Sequence, residues 1–117
     1  MTKIESLKKN SHFKTVLKKR VINNDLFSIY CVKNFIKKKE NIKKLYVSFV
    51  MRKKVGNAVK RNKIKRRLKS IVLKLLKINS AINLNYTYII FGKSKVYDEK
   101  NKYLFEKMKK SFKEIRN

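Results

Sequence analysis

The sequence predicts an α/β sandwich, one sheet with helices packed against it. Three segments rich in β-branched and aromatic residues read as strands: 26–32, 44–51 and 86–91. Three others, 11–19, 57–78 and 98–115, place apolar residues at helical spacing. The two kinds alternate as helix, strands, helix, strand, helix, in a chain of 117 residues. That order and length suit one sheet in one domain, 1–117.

Residues 4–9 open with Ile4 and Leu7 and read as an extended lead-in. Asn10 or Ser11 can cap the helix over 11–19. Phe13, Val16 and Leu17 share one of its faces, and Lys14, Lys18, Lys19 and Arg20 take the rest. Phe13 has two readings: a core residue, or a platform on which a base stacks. His12 has neither Cys nor acid beside it and reads as a surface residue. Asn23-Asn24-Asp25 marks a turn. Alternation in 26–32 puts Phe27, Ile29 and Cys31 on one face and Leu26, Ser28, Tyr30 and Val32 on the other, so Tyr30 faces the ligand side if the first face meets helices. Residues 33–43 are polar and read as a loop. Strand 44–51 is apolar on both faces, as in a central strand covered on both sides.

Gly56-Asn57 signals a turn, with Asn57 as N-cap of the helix over 57–78. Ile64, Leu68, Ile71, Val72 and Leu75 form its apolar stripe. Arg61, Lys65 and Lys69 stack at i, i+4 and i+8 on another face, with Asn62 and Arg66 beside them. Residues 79–85 connect to strand 86–91, and 92–96 form a basic turn. The helix over 98–115 has Asp98 and Glu99 near its positive end and a buried stripe of Leu104, Met108, Phe112 and Ile115. There is no internal repeat, linker or second domain.

Charge narrows the function. The formal net charge is +27, and between Arg52 and Lys69 ten of eighteen residues are Lys or Arg with no acid. None of the seven acids lies between residues 41 and 97. Such a field destabilises a compact monomer unless a polyanion neutralises it, and absence of carboxylates is what close approach to phosphate requires. Nucleic acid is the expected partner. No apolar run reaches the ~18 residues of a membrane span, MTKIESLKKN has no signal-peptide core, and the lone Cys31 fits a reducing compartment. The expected location is cytoplasmic, with no membrane partner and no obligate protein partner.

Catalytic sets are missing. One His and one Cys exclude a Ser-His-Asp or Cys-His arrangement and a metal cluster at ligand spacing. Two glycines, Gly56 and Gly92, make no phosphate loop. No acid pair in the basic half can hold catalytic Mg²⁺. The expectation is a binding subunit with no catalytic and no metal-ligating residue of its own.

The stretch KKVGNAVKRNKIKRRLKSI, residues 53–71, resembles the signature of the bacterial ribonuclease P protein subunit. GNAV, the RN pair and IKR occur in register, with Arg61-Asn62-Lys63 at the Arg-Asn-Arg position. LKKNSHFKTVLKK at 7–19 is similar to the family's first helix, LFSIYCV to its first strand, and YTYIIFGK with the helix after it to its last strand and helix. The resemblance extends over about residues 6–115. It implies a four-stranded sheet with a left-handed βαβ crossover, against the usual hand. It implies as partners a large catalytic RNA and the single-stranded 5′ leader of precursor tRNA. The RNA performs the hydrolysis that frees the leader, with Mg²⁺ held mainly by RNA and no dedicated protein site. By the resemblance, Lys53, Lys54, Arg61, Asn62, Lys63, Lys65, Arg66 and Lys69 bind RNA, and Phe13, Leu17 and Tyr30 line the leader cleft. Leu17 stands where an aromatic is common, which leaves apolar contact there. Ser48 replaces a usual Gly in the second strand region. Asn62 can bond a base edge or buttress the loop. The rival readings are a ribosomal protein and a DNA-binding module that lays helix 57–78 in a major groove.

Overall fold

The computed structural model describes residues 2–36 and 43–115. In chain order its elements are β1 (Lys3–Glu5), α1 (Asn10–Val16), β2 (Arg20–Asn23), β3 (Phe27–Lys33), β4 (Lys44–Val50), α2 (Ala58–Leu76), β5 (Tyr86–Gly92) and α3 (Asn101–Ile115). Short 3-10 turns, Lys53–Val55 and Ser94–Tyr97, precede α2 and α3. The loop expected over 33–43 lies at 37–42 outside the described residues.

The sheet has five strands in the order β1-β4-β5-β3-β2, a correction to the four expected. The lead-in forms β1, parallel to β4 with Lys3 opposite Lys44 and Glu5 opposite Tyr46. Arg20–Asn23, expected as helix end and turn, forms β2 antiparallel to β3. Both are too short for a period-two signal, and β2 slips register between Arg20 and Ile22. β4 and β5 are parallel neighbours, so α2 is the crossover between them. β3 runs antiparallel to β5 along its whole length.

Alternation along the central strands assigns the two faces. Phe27, Ile29, Cys31, Leu45, Val47, Tyr88 and Ile90 join one core with the stripes of α2 and α3. All five expected stripe residues of α2 are buried, as are Leu104, Met108, Phe112 and Ile115 of α3. On the other face, Tyr46 and Ile89 pack with Leu7 and with Val16 of α1, and Phe13, Tyr30, Val50 and Phe91 flank them half-buried. The layers are therefore two helices, sheet, and one short helix. Burial pushes the Cys31 thiol up to about 11, so it is a core group and not a reactive one.

Boundaries move where sheet pairing or a turn competes with the helix. α1 stops at Val16, short of the expected 19, because the Lys19 carbonyl accepts the Cys31 N–H at 3.3 Å. Its N-cap is Lys9, without a side-chain bond, and not Asn10 or Ser11. α3 begins at Asn101, after the second 3-10 turn, so Asp98 and Glu99 precede it. The Asn24 carboxamide oxygen accepts the N–H groups of Leu26 and Phe27 at 2.9 and 3.0 Å, which fixes the expected turn. That turn leaves Leu26 in the same core as Phe27, against the alternation. Ser48 is buried, and its hydroxyl accepts the Leu7 N–H at 2.9 Å, tying the lead-in to the sheet.

Candidate nucleic-acid interface

β4 delivers the chain into the basic segment through Arg52 and the turn Lys53–Val55. Gly56 then takes φ 155° and ψ −170°, a conformation that side chains rarely adopt. It allows Asn57 to cap α2, its side chain accepting the Lys60 N–H at 2.9 Å. A capped helix with five buried stripe residues is a fixed rod, so its basic side chains start from set positions.

Those side chains occupy both flanks of α2. On one flank Arg61, Lys65 and Lys69 follow each other by one turn; Lys65 and Lys69 are exposed, Arg61 half-buried. Asn62, Arg66 and Val59 border this row, and Val59 is 73% exposed. The Asn62 side chain has no hydrogen-bond partner among the described residues; the Asn57 side chain caps the helix that follows the loop. On the opposite flank, Lys63 stands 4.2 Å from the Tyr97 ring centroid, and Lys60 reaches the Ser94 hydroxyl at 2.6 Å. Arg67 grips the chain ahead of α3. Its guanidinium donates to the carbonyls of Val96, Tyr97 and Glu99 and to the Asn101 side chain at 2.8 Å. Arg67 is thus a structural clamp inside the basic run.

Among the described residues two ion pairs form, Lys44 with Glu5 at 3.2 Å and Lys95 with Asp25 at 2.8 Å. The Lys44 hydrogen bond holds the Glu5 carboxyl below the usual range, and the Lys95 bond does the same for Asp25. Neither pair includes a residue of α2. No carboxylate among the described residues therefore offsets the charge of that helix, and its cations repel each other without a phosphate.

At one end of the sheet, bordered by the turn that leads into α2, lies a cleft of about 430 Å³ lined among others by Tyr30, Phe91, Arg20, Arg52, Lys54 and Lys93. Tyr30 meets Phe91 edge to face at 5.4 Å, and the Arg52 guanidinium lies 5.2 Å from the Phe91 ring centroid. Aromatic edges under a canopy of cations suit an unpaired nucleotide, whose base stacks while its phosphate is neutralised. The fold brings expected Tyr30 and Lys54 into one cavity. Phe13 and Leu17 do not line it: Phe13 packs half-buried against the cluster shared with Tyr30, and Leu17 is 38% exposed on α1. Lys53 is exposed in the turn before α2. Arg20, Arg52, Phe91 and Lys93 were not expected. Phe91 follows from alternation after Ile90, whereas Arg20 arrives only by pairing opposite Tyr30.

The described residues include no group of three His, Cys, Asp or Glu side chains able to hold a metal ion. No described helix is long and apolar enough to cross a membrane.

Comparison with known proteins gives one consistent result. The family model described as Ribonuclease P matches residues 1–116. The ribonuclease P protein component of Mesomycoplasma hyopneumoniae is 29% identical over 118 residues, covering 99% of this chain and 96% of that protein. The Helicobacter acinonychis component is 40% identical over 82 residues, covering 60% of this chain and 54% of that protein. The solved Staphylococcus aureus RNase P protein is similar with a TM-score of 0.68 at 28% identity, over 92% of both chains. The Thermotoga maritima RNase P protein, at 20% identity and TM-score 0.70 over 93% of this chain and 96% of that one, shares the fold.

Proposed function

Since the chain belongs to the ribonuclease P protein family, we propose that α2 docks it on the catalytic RNA while the neighbouring cleft holds the single-stranded 5′ leader of precursor tRNA. The family forms a subunit of a ribonucleoprotein endoribonuclease that matures tRNA 5′ ends, and its chemistry lies in the RNA. Membership displaces the ribosomal and DNA-binding readings.

One observation supports the division of labour: a rigid, carboxylate-free basic helix follows directly on the turn that helps line a cleft of aromatic and cationic side chains. Lys53, Lys54, Arg61, Lys63, Lys65, Arg66 and Lys69 meet phosphates, which gives affinity and register without sequence preference. Exposed Asn62 offers its amide to a base edge or a sugar. Tyr30 packs a leader base, and Phe13 and Leu17 extend the apolar wall on the α1 side. Single-stranded leader exposes its bases for this, which duplex RNA does not. Cations that neutralise crowded phosphates also let the RNA reach its active fold with less Mg²⁺, the ion being held by RNA.

The test is the affinity of the chain for its cognate ribonuclease P RNA across a salt series. Arg61→Ala with Lys65→Ala is expected to weaken binding and to flatten the slope of log K against log salt by about 0.7–0.9 per lost contact. Wild-type affinity and slope in that variant would remove the α2 row from the interface. Tyr30→Ala should weaken capture of precursor tRNA with a leader and leave mature tRNA unaffected; equal losses for both would take the leader out of the cleft.

A further inference from the structure

The groove between α2 and α3 shares Lys63 and Arg66 with the docking above, which leaves its other cations, Arg67, Lys74 and Lys102, unused. It has a volume of about 550 Å³ and is lined by Lys63, Arg66, Arg67, Lys74 and Lys102, with half-buried Phe105 among the lining residues. Ser70, Ile71 and Asn101 complete the lining, and no acid belongs to it. We infer that this groove is a second phosphate site, in which the first turn of α3 joins α2 in gripping the backbone of the catalytic RNA. The inference rests on the RNA-binding reading of α2.

The geometry separates the groove from the row already described. At 100° per residue, Lys63, Arg67, Ser70 and Lys74 lie on the flank of α2 opposite Arg61, Lys65 and Lys69, with the buried stripe between them below and Arg66 on the crest above. A helix with its side chains is about 10–12 Å across. One RNA strand laid along the first flank therefore leaves the second uncovered. Lys63, Lys74 and Lys102 are exposed and form no ion pair among the described residues. Several cations without a carboxylate, against the low-dielectric wall of Phe105, focus a positive potential into the groove. Arg67 spends its donors on the chain ahead of α3 and on Asn101, so it shapes the groove and adds charge; Lys63 lies over the Tyr97 ring, and Lys74 and Lys102 are the exposed lysines that reach phosphate. Cations dominate the groove and Phe105 is its one ring, half-buried, so the ligand is backbone, not base.

Lys74→Ala with Lys102→Ala tests this, both positions being exposed and outside the motif row. Binding to the cognate ribonuclease P RNA is measured across a salt series, alone and with precursor tRNA added. The expected result is a loss of roughly tenfold in affinity and a slope shallower by about 1.4–1.8, already complete with the catalytic RNA alone. Unchanged affinity and slope in this variant, beside a weakened Arg61→Ala/Lys65→Ala variant, would overturn the inference and spare the reading of α2. Wild-type binding in both variants would overturn both. A loss that appears only when precursor tRNA is present would overturn the assignment to the catalytic RNA. Far-ultraviolet circular dichroism of each variant separates lost binding from lost fold.

Discussion

Gly92 ends β5 directly beneath α2, and its missing side chain sets how closely the helix lies on the sheet. A methyl group there would come 2.8 Å from Ile64 and 2.9 Å from Leu68, both on the buried stripe. Gly92→Ala is therefore expected to cost about 1–3 kcal/mol by overpacking, read as a lower denaturant midpoint; an unchanged midpoint would mean that α2 is free to shift. Gly56 differs in kind. Its added methyl would meet only the flexible Lys60 side chain, so the constraint is the backbone at φ 155°. At this scale much was legible: Gly56-Asn57 reads as a turn and cap, and alternation places Tyr30. Arg20 and Lys93 were not, because nothing local says that Arg20 will pair opposite Tyr30 or that Lys93 will line the same cleft.

At the scale of elements, α2 was the most legible part of the chain. Five apolar residues three or four apart define its buried face, and the cap fixes its start. β1 and β2 were illegible for the opposite reason. Each is three or four residues long, and β1 exists only because Lys3 finds Lys44 far along the chain. The docking of α3 on α2 was also hidden, since Arg67 looks like one more cation in a basic run. Its bonds to the carbonyls of Val96, Tyr97 and Glu99 give it another role. Arg67→Met leaves those acceptors without a charged donor and is expected to cost about 1.5–3 kcal/mol of stability. Chemical denaturation measures this. A variant as stable as wild type would mean that water replaces the clamp without loss.

For the whole molecule, charge is the dominant fact. A net charge of +27 on 117 residues opposes compactness, and anything anionic that binds the folded form alone stabilises it by mass action. Millimolar pyrophosphate should therefore raise the melting temperature well above that in sodium chloride of equal ionic strength. Equal melting temperatures in the two salts would mean that the protein has no organised anion site. The same charge makes a nucleic-acid partner legible in the residues themselves, and family membership places the chemistry in the RNA.

That division is tested most directly by leader cleavage with purified components. Precursor tRNA is incubated at low Mg²⁺ with the protein alone, with its cognate ribonuclease P RNA alone, and with both. The account predicts no cleavage by the protein, little by the RNA, and accurate 5′ maturation by the pair. Cleavage by the protein alone, or no gain when it joins the RNA, would contradict it.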